Sequence, residues 1–184
     1  MNNMPGAEDM RWRLKMLAVM FTREYYERSS SLGNLGCQEI IATSNGATVL
    51  RCSKVHMGVN SGAHKFAIER RAVNEATFRC PDEMGWQPQR LPIISEDGGI
   101  SHVRETAFPV VELVDSLAKK GFNVAVSEDA GRFVCNYVYY HSLCHAATHG
   151  TKCLFVHVPP FSKIEADKQM EFLASLFDML SSLC

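Results

Sequence analysis

Residues 122–158, FNVAVSEDAGRFVCNYVYYHSLCHAATHGTKCLFVHV, decide the fold class. Phe122–Ser127 is short and rich in valine, as a strand is, while LFVHV at 154–158 is almost wholly apolar, as in a strand buried on both faces. Between them Cys135–Thr148 has helical composition. Strand, helix and strand in that order predict a βαβ unit, and chains of such units build an α/β fold with a mainly parallel sheet.

Working outward, Pro109 opens a predicted helix through Val110, Val111, Leu113, Val114 and Leu117, which stops where Lys119 and Lys120 precede Gly121. Downstream, SKIE at 162–165 predicts a last helix capped by Ser162, with Glu165 reaching back; Phe172, Leu173, Leu176, Phe177 and Leu180 give it one apolar stripe. Upstream, Pro81, Pro88 and Pro92 with Gly85, Gly98 and Gly99 make 76–99 a long excursion of loops, with room for a hairpin, that folds over another part of the domain. Residues 47–59 carry Thr48, Val49, Leu50, Val55, Met57 and Val59 and predict one or two strands ending at Gly58–Gly62. Residues 9–28 have helical composition, and SSSLGNLG at 29–36 punctuates the chain after them.

The chain has 184 residues, 46% of them apolar, enough for one ordinary core. Nineteen Lys and Arg against twenty Asp and Glu leave no excess charge to recruit nucleic acid or an anionic membrane. The longest apolar run near the N-terminus, Leu17–Phe21, falls far short of the roughly 20 residues a membrane helix needs. Seven cysteines, an odd number at irregular spacings, fit reduced thiols in the cytoplasm better than a disulfide framework.

One of those thiols has a distinctive setting. Cys135 follows the turn-forming DAGR and so falls in the first turn of the predicted helix, where free amides and the helix dipole favour a thiolate. The same amides can hold the oxyanion of a tetrahedral intermediate. In a βαβ unit the loop after the first strand and the end of the second open at the same carboxyl edge, which would bring Cys135 and His157 together there. Taken singly, Cys135 also reads as a small buried hydrophobe and His157 as a core histidine.

Two ordered stretches, SEDAGRFVCNYVYYHSL (127–143) and LFVHVPP (154–160), resemble the cysteine and histidine motifs of pyroglutamyl-peptidase I, a cysteine peptidase family. A third, GVNSGAHKFAIERRAVN (58–74), resembles the family's glycine-rich segment and glutamate motif and places the glutamate at Glu69. The resemblance covers roughly Val55 to the C-terminus. It implies a cytosolic, cofactor-free enzyme with a three-layer α/β/α sandwich that removes N-terminal pyroglutamyl residues from peptides. It also implies that Cys135 attacks, His157 moves protons and Glu69 orients the imidazole, and that the chain self-associates as family members do. Residues 51–184 would form the family domain and 1–50 a divergent, loosely attached segment. That segment lacks the TGFxPF-like and NPS-like motifs with which family members open, and Ala63 stands where many bacterial members carry arginine. These departures keep open a second reading, a catalytically impaired relative that binds or regulates another chain.

Other patterns carry less. His141, His145 and His149 stand at i, i+4 steps able to seat a metal, but with Tyr139, Leu143, Ala146 and Ala147 as the apolar face they are expected to point to water, so no metal is assigned. Cys52, Cys80, Cys144 and Cys153 read as structural thiols. Gly58 and Gly62 lack the lysine and Ser/Thr of a phosphate loop.

Overall fold

The computed structural model describes residues 53–82 and 85–183. The helix expected at 9–28, the turn at 29–36, the head of the 47–59 strand segment and Cys52 lie outside those residues. Among the described residues nine regular elements follow in order: β1 (Ser53–Val59), β2 (Phe66–Glu69), β3 (Arg71–Val73), β4 (Val103–Glu105), α1 (Val110–Lys119), β5 (Val124–Ser127), α2 (Val134–His149), β6 (Lys152–Val158) and α3 (Ala166–Ser181). A single 3₁₀ turn, Ser95–Asp97, lies between β3 and β4.

The main sheet has the order β1-β6-β2-β5. β1 runs parallel to β6 and β2 parallel to β5, whereas β2 and β6 are antiparallel, so the sheet is mixed with two of its three pairings parallel. The βαβ reading of 122–158 is thereby corrected. β2 lies between β5 and β6, runs with the first and against the second, and leaves those two strands antiparallel and apart. Only four residues long and followed by a pair of arginines, β2 had no sequence signal of its own, yet it decides the relative sense of its neighbours.

Alternation along the strands sorts the sheet into two unlike faces. Phe66, Ile68, Leu154, Val156 and Val158 join Leu113 and Leu117 of α1 and Phe172, Leu173, Leu176 and Leu180 of α3 in one apolar cluster. Phe66 and Phe172 stack there with centroids 3.8 Å apart. On the other face Cys153 and Phe155 pack beneath Tyr139, Tyr140, Leu143 and Ala146 of α2. One helix on one face and two on the other make the three-layer α/β/α sandwich.

Several local signals resolve as expected. α1 begins after Pro109, and Gly121 follows its end with a φ of 88°. Gly150, at a φ of 64°, ends α2 and turns the chain into β6 within two residues. The start of α3 differs: Ser162 does not cap it, and the helix opens at Ala166. The Pro160 carbonyl instead accepts from the amides of Lys163 and Ile164, making a turn of the SKIE stretch. The Gln169 amide secures that turn by donating to the Pro159 and Ile164 carbonyls at 2.8 and 2.9 Å.

The excursion between β3 and β4 folds over α2. Phe78 and Trp86 meet Tyr137 edge-on, and buried Asn74 holds the loop by bonding both the amide and the carbonyl of Ile94. Farther along, the Tyr140 hydroxyl donates to Asp97, which Arg104 also grips with two hydrogen bonds. Cover from the sheet on one side and the excursion on the other buries Asn136 to Tyr140 without a break, which is why α2 shows no amphipathic stripe.

Candidate active site

The site is built on the α2 side of the sheet, where the even positions of β1 and the odd positions of β2 and β6 point. Gly58 of β1 and Ala67 of β2 flank His157 in register, and Glu69 pairs with Phe155 one step down the ladder. Alternation therefore puts the side chains of Glu69 and His157 on one face, and α2 lays its first turn across it. Cys135 and His157 meet on this face rather than at a shared carboxyl edge of parallel strands.

His157 Nδ1–H donates to Glu69 Oε1 at 2.7 Å. Glu69 is 1% exposed and His157 8%, so this is a buried pair whose partners satisfy each other where water does not. The other oxygen, Glu69 Oε2, is buried without a hydrogen-bond partner among the described residues. With Nδ1 committed to the carboxylate, Nε2 is the ring nitrogen left for the Cys135 thiol. Burial works against a charge on His157, but hydrogen bonds to Cys135 and Glu69 and the electrostatic pull of both lift its pKa from 6.5 to about 9. Phe155 lies against the ring at a centroid distance of 4.9 Å and fixes its tilt.

Glu69→Gln removes the charge and the acceptor geometry but leaves the burial. The His157 pKa is expected to fall toward or below 6.5, read from its imidazole resonances in an NMR titration. A pKa raised by folding gives stabilisation that is full below 6.5 and is lost as pH rises through about 9, so the wild type should lose Tm over that window and Glu69→Gln should lose less.

Cys135 is the second residue of α2, partly exposed, with Phe133 as the N-cap. The first amides of a helix have no intrahelical acceptor, so α2 presents donors beside the sulfur. The sulfur itself lies over Gly58: a Cβ on that glycine would stand 2.9 Å from Cys135 Sγ and 3.0 Å from Phe155 Cζ. This requirement was missed in the sequence, where Gly58 read as a strand end and as part of a glycine-rich segment. A glycine inside a strand pattern is itself a sign of close approach by another group.

The remaining candidates scatter. On α2, His149 faces water as expected, but His141 and His145 are partly buried and Ala147 is exposed. His141 packs edge-on to Tyr137 at 4.7 Å, and the rings of His145 and His149 stack at 3.9 Å. The contact with Tyr137 for His141 and the mutual stack for His145, not an apolar stripe, accompany these orientations. No group of three or more His, Cys, Asp or Glu suited to a metal occurs among the described residues. Cys80 is exposed, Cys144 half-buried and Cys153 buried, and all are free thiols. Two surface clefts, one walled by Arg71, Glu75, Arg90 and Arg132 and the other by Phe122, Lys163 and Lys168, are lined by neither Cys135 nor His157.

Comparison with known proteins gives this geometry a family. Residues 40–178 match the model of the pyroglutamyl peptidase family. The chain belongs to that family. A pyrrolidone-carboxylate peptidase of Pyrococcus furiosus is 34% identical over 116 residues, which are 62% of this chain and 54% of that relative. Pyrrolidone-carboxylate peptidase 1 of Caldanaerobacter subterraneus is 31% identical over 129 residues, 69% of this chain and 62% of the relative. The chain thus spans between about half and three-fifths of the length of these curated relatives. Among solved structures, a mutant pyrrolidone carboxyl peptidase from P. furiosus superposes with a TM-score of 0.63 at 27% identity, covering 73% of this chain and 72% of that one. Pyroglutamyl peptidase I of Bacillus amyloliquefaciens gives 0.59 at 27% identity, covering 67% and 64%. The α/β fold is that of the family, and within it Glu69, Cys135 and His157 fall together.

Proposed function

We propose that the chain is a cysteine-type omega peptidase that removes N-terminal pyroglutamyl residues from peptides. The observation that carries the reading is the row Glu69–His157–Cys135 on one sheet face, in a chain of this family. Cys135 Sγ attacks the carbonyl carbon of the pyroglutamyl residue, and the oxyanion that forms is held by the free amides at the start of α2. His157, protonated at Nε2, gives that proton to the departing amine as the C–N bond breaks and a thioester remains on Cys135. His157 then takes a proton from water, the hydroxide attacks the thioester, and pyroglutamate leaves as the sulfur recovers the proton. Glu69 holds the imidazole by Nδ1 throughout, so that Nε2 faces the sulfur and the charged ring is stabilised.

The chemistry needs a reduced thiol, and the four cysteines among the described residues are free, which supports a cytosolic setting. No helix among the described residues is long and apolar enough to cross a membrane. Self-association, as the family resemblance implies, belongs to the same reading and is measured by sedimentation. The peptidase reading predicts that the purified protein releases fluorophore from a pyroglutamyl amide and not from the matching prolyl or glutamyl amides. Folded protein without turnover on the pyroglutamyl amide would instead favour the impaired, partner-binding relative.

A further inference from the structure

Asn136, the residue after Cys135, is fully buried and uses its whole amide on β3 and the residues just after it. Its Oδ1 accepts from the Val73 amide at 2.9 Å, and its Nδ2 donates to the Val73 carbonyl at 2.8 Å and to the Glu75 carbonyl at 3.0 Å. One helical turn after Cys135, the buried Tyr139 hydroxyl donates to the main-chain carbonyl of Glu69 at 2.9 Å. Just before the helix, the Arg132 carbonyl accepts from the Thr77 amide at 2.8 Å. All of these anchors land on one continuous stretch, 69–77, that begins with the residue whose carboxylate holds His157.

From this arrangement we infer that Asn136 and Tyr139 are positioning residues: they fix the first two turns of α2 to the stretch 69–77 and so set the distance between Cys135 Sγ and the imidazole that Glu69 orients. The inference rests on the peptidase reading for its kinetic consequence, but the anchoring itself is independent of turnover. Side-chain amide to peptide bonds of this kind stand in for a strand partner and leave no slack in register. Positions one and four residues after Cys135 hold the turns that carry the sulfur, so loss of either lets the helix start pivot.

Asn136→Asp keeps the volume and an acceptor for the Val73 amide but removes both donors and turns a carboxylate toward two carbonyls. Tyr139→Phe removes one hydroxyl and keeps the ring. Two quantities are read: kcat and KM on a pyroglutamyl fluorogenic amide, and the rate of Cys135 alkylation by iodoacetamide across pH. Misplacement of reacting groups by a fraction of a bond length to about 1 Å predicts a fall in kcat on the order of 10²-fold for Asn136→Asp and about 10-fold for Tyr139→Phe. KM should stay within about threefold, because the loss is of transition-state stabilisation. In both variants the alkylation profile should shift, since the imidazole no longer faces the sulfur in the same way; a purely structural role would lower Tm and leave that profile in place. Folded variants with wild-type kcat and wild-type profiles overturn the inference. Should Asn136→Asp fail to fold, Tyr139→Phe decides by the same two readouts. If the wild type turns over no substrate while both profiles still shift, the peptidase reading falls and the anchoring stands.

Discussion

Cys135→Ala and His157→Ala are each expected to lower kcat on pyroglutamyl amides by on the order of 10⁴-fold, and the double variant to be no worse than the weaker single one. The expectation of non-additivity comes from the geometry. His157 has one nitrogen bound to Glu69 at 2.7 Å and the other left for the thiol, so proton transfer and attack are one event shared by two side chains. Without the sulfur the imidazole has nothing to activate, and without the imidazole the leaving amine has no proton donor. Additive losses in a double-mutant cycle would show that the two residues act apart and would remove the basis for reading them as a pair.

The second large effect is expected at Gly58, which touches no substrate in this account. A Cβ there would lie 2.9 Å from Cys135 Sγ, closer than real Cβ contacts fall, and 3.0 Å from Phe155 Cζ, tighter than nine in ten of them. Phe155 is 3% exposed and wedged between His56, Tyr139 and His157. The sulfur is therefore the group that moves. Gly58→Ala should lower kcat on the order of 10²-fold and slow alkylation of Cys135, at a stability cost of about 1–3 kcal/mol from overpacking. Gly62→Ala is the control, since its Cβ would meet only Asn60 Oδ1 at 3.7 Å. Equal activity of Gly58→Ala and Gly62→Ala would contradict the placement of the thiol over β1.

How much of this was legible in the sequence depends on how local each signal is. The apolar run at Lys152–Val158, the Pro109-to-Gly121 helix and the stripe of α3 are carried by neighbours along the chain, and they appear where expected. The sense of β5 relative to β6 is not local. It depends on β2 sliding between them through pairings such as Ile68 with Val156 and Ile68 with Val126, and FAIE offers no period long enough to show it. Cys135, His157 and Glu69 came from ordered motifs and a family resemblance, and the structure brings them together by a route different from the one expected. The helix start at Cys135 was right, but the shared sheet edge was not. Asn136 and Tyr139 were illegible for a plain reason: their bonds reach residues 63 and 70 positions away, and an asparagine or tyrosine in a helix carries no mark of what it grips.

The central claim is that the sulfur of Cys135 forms a bond to the pyroglutamyl carbonyl. Its most direct test is intact and peptide mass analysis of protein quenched in acid during turnover of a pyroglutamyl ester, where hydrolysis of the intermediate limits the rate. The account predicts a mass increase of one pyroglutamyl group, mapped to Cys135 and absent from Cys135→Ala. Turnover with Cys135 unmodified, or with the acyl group on another residue, would contradict it.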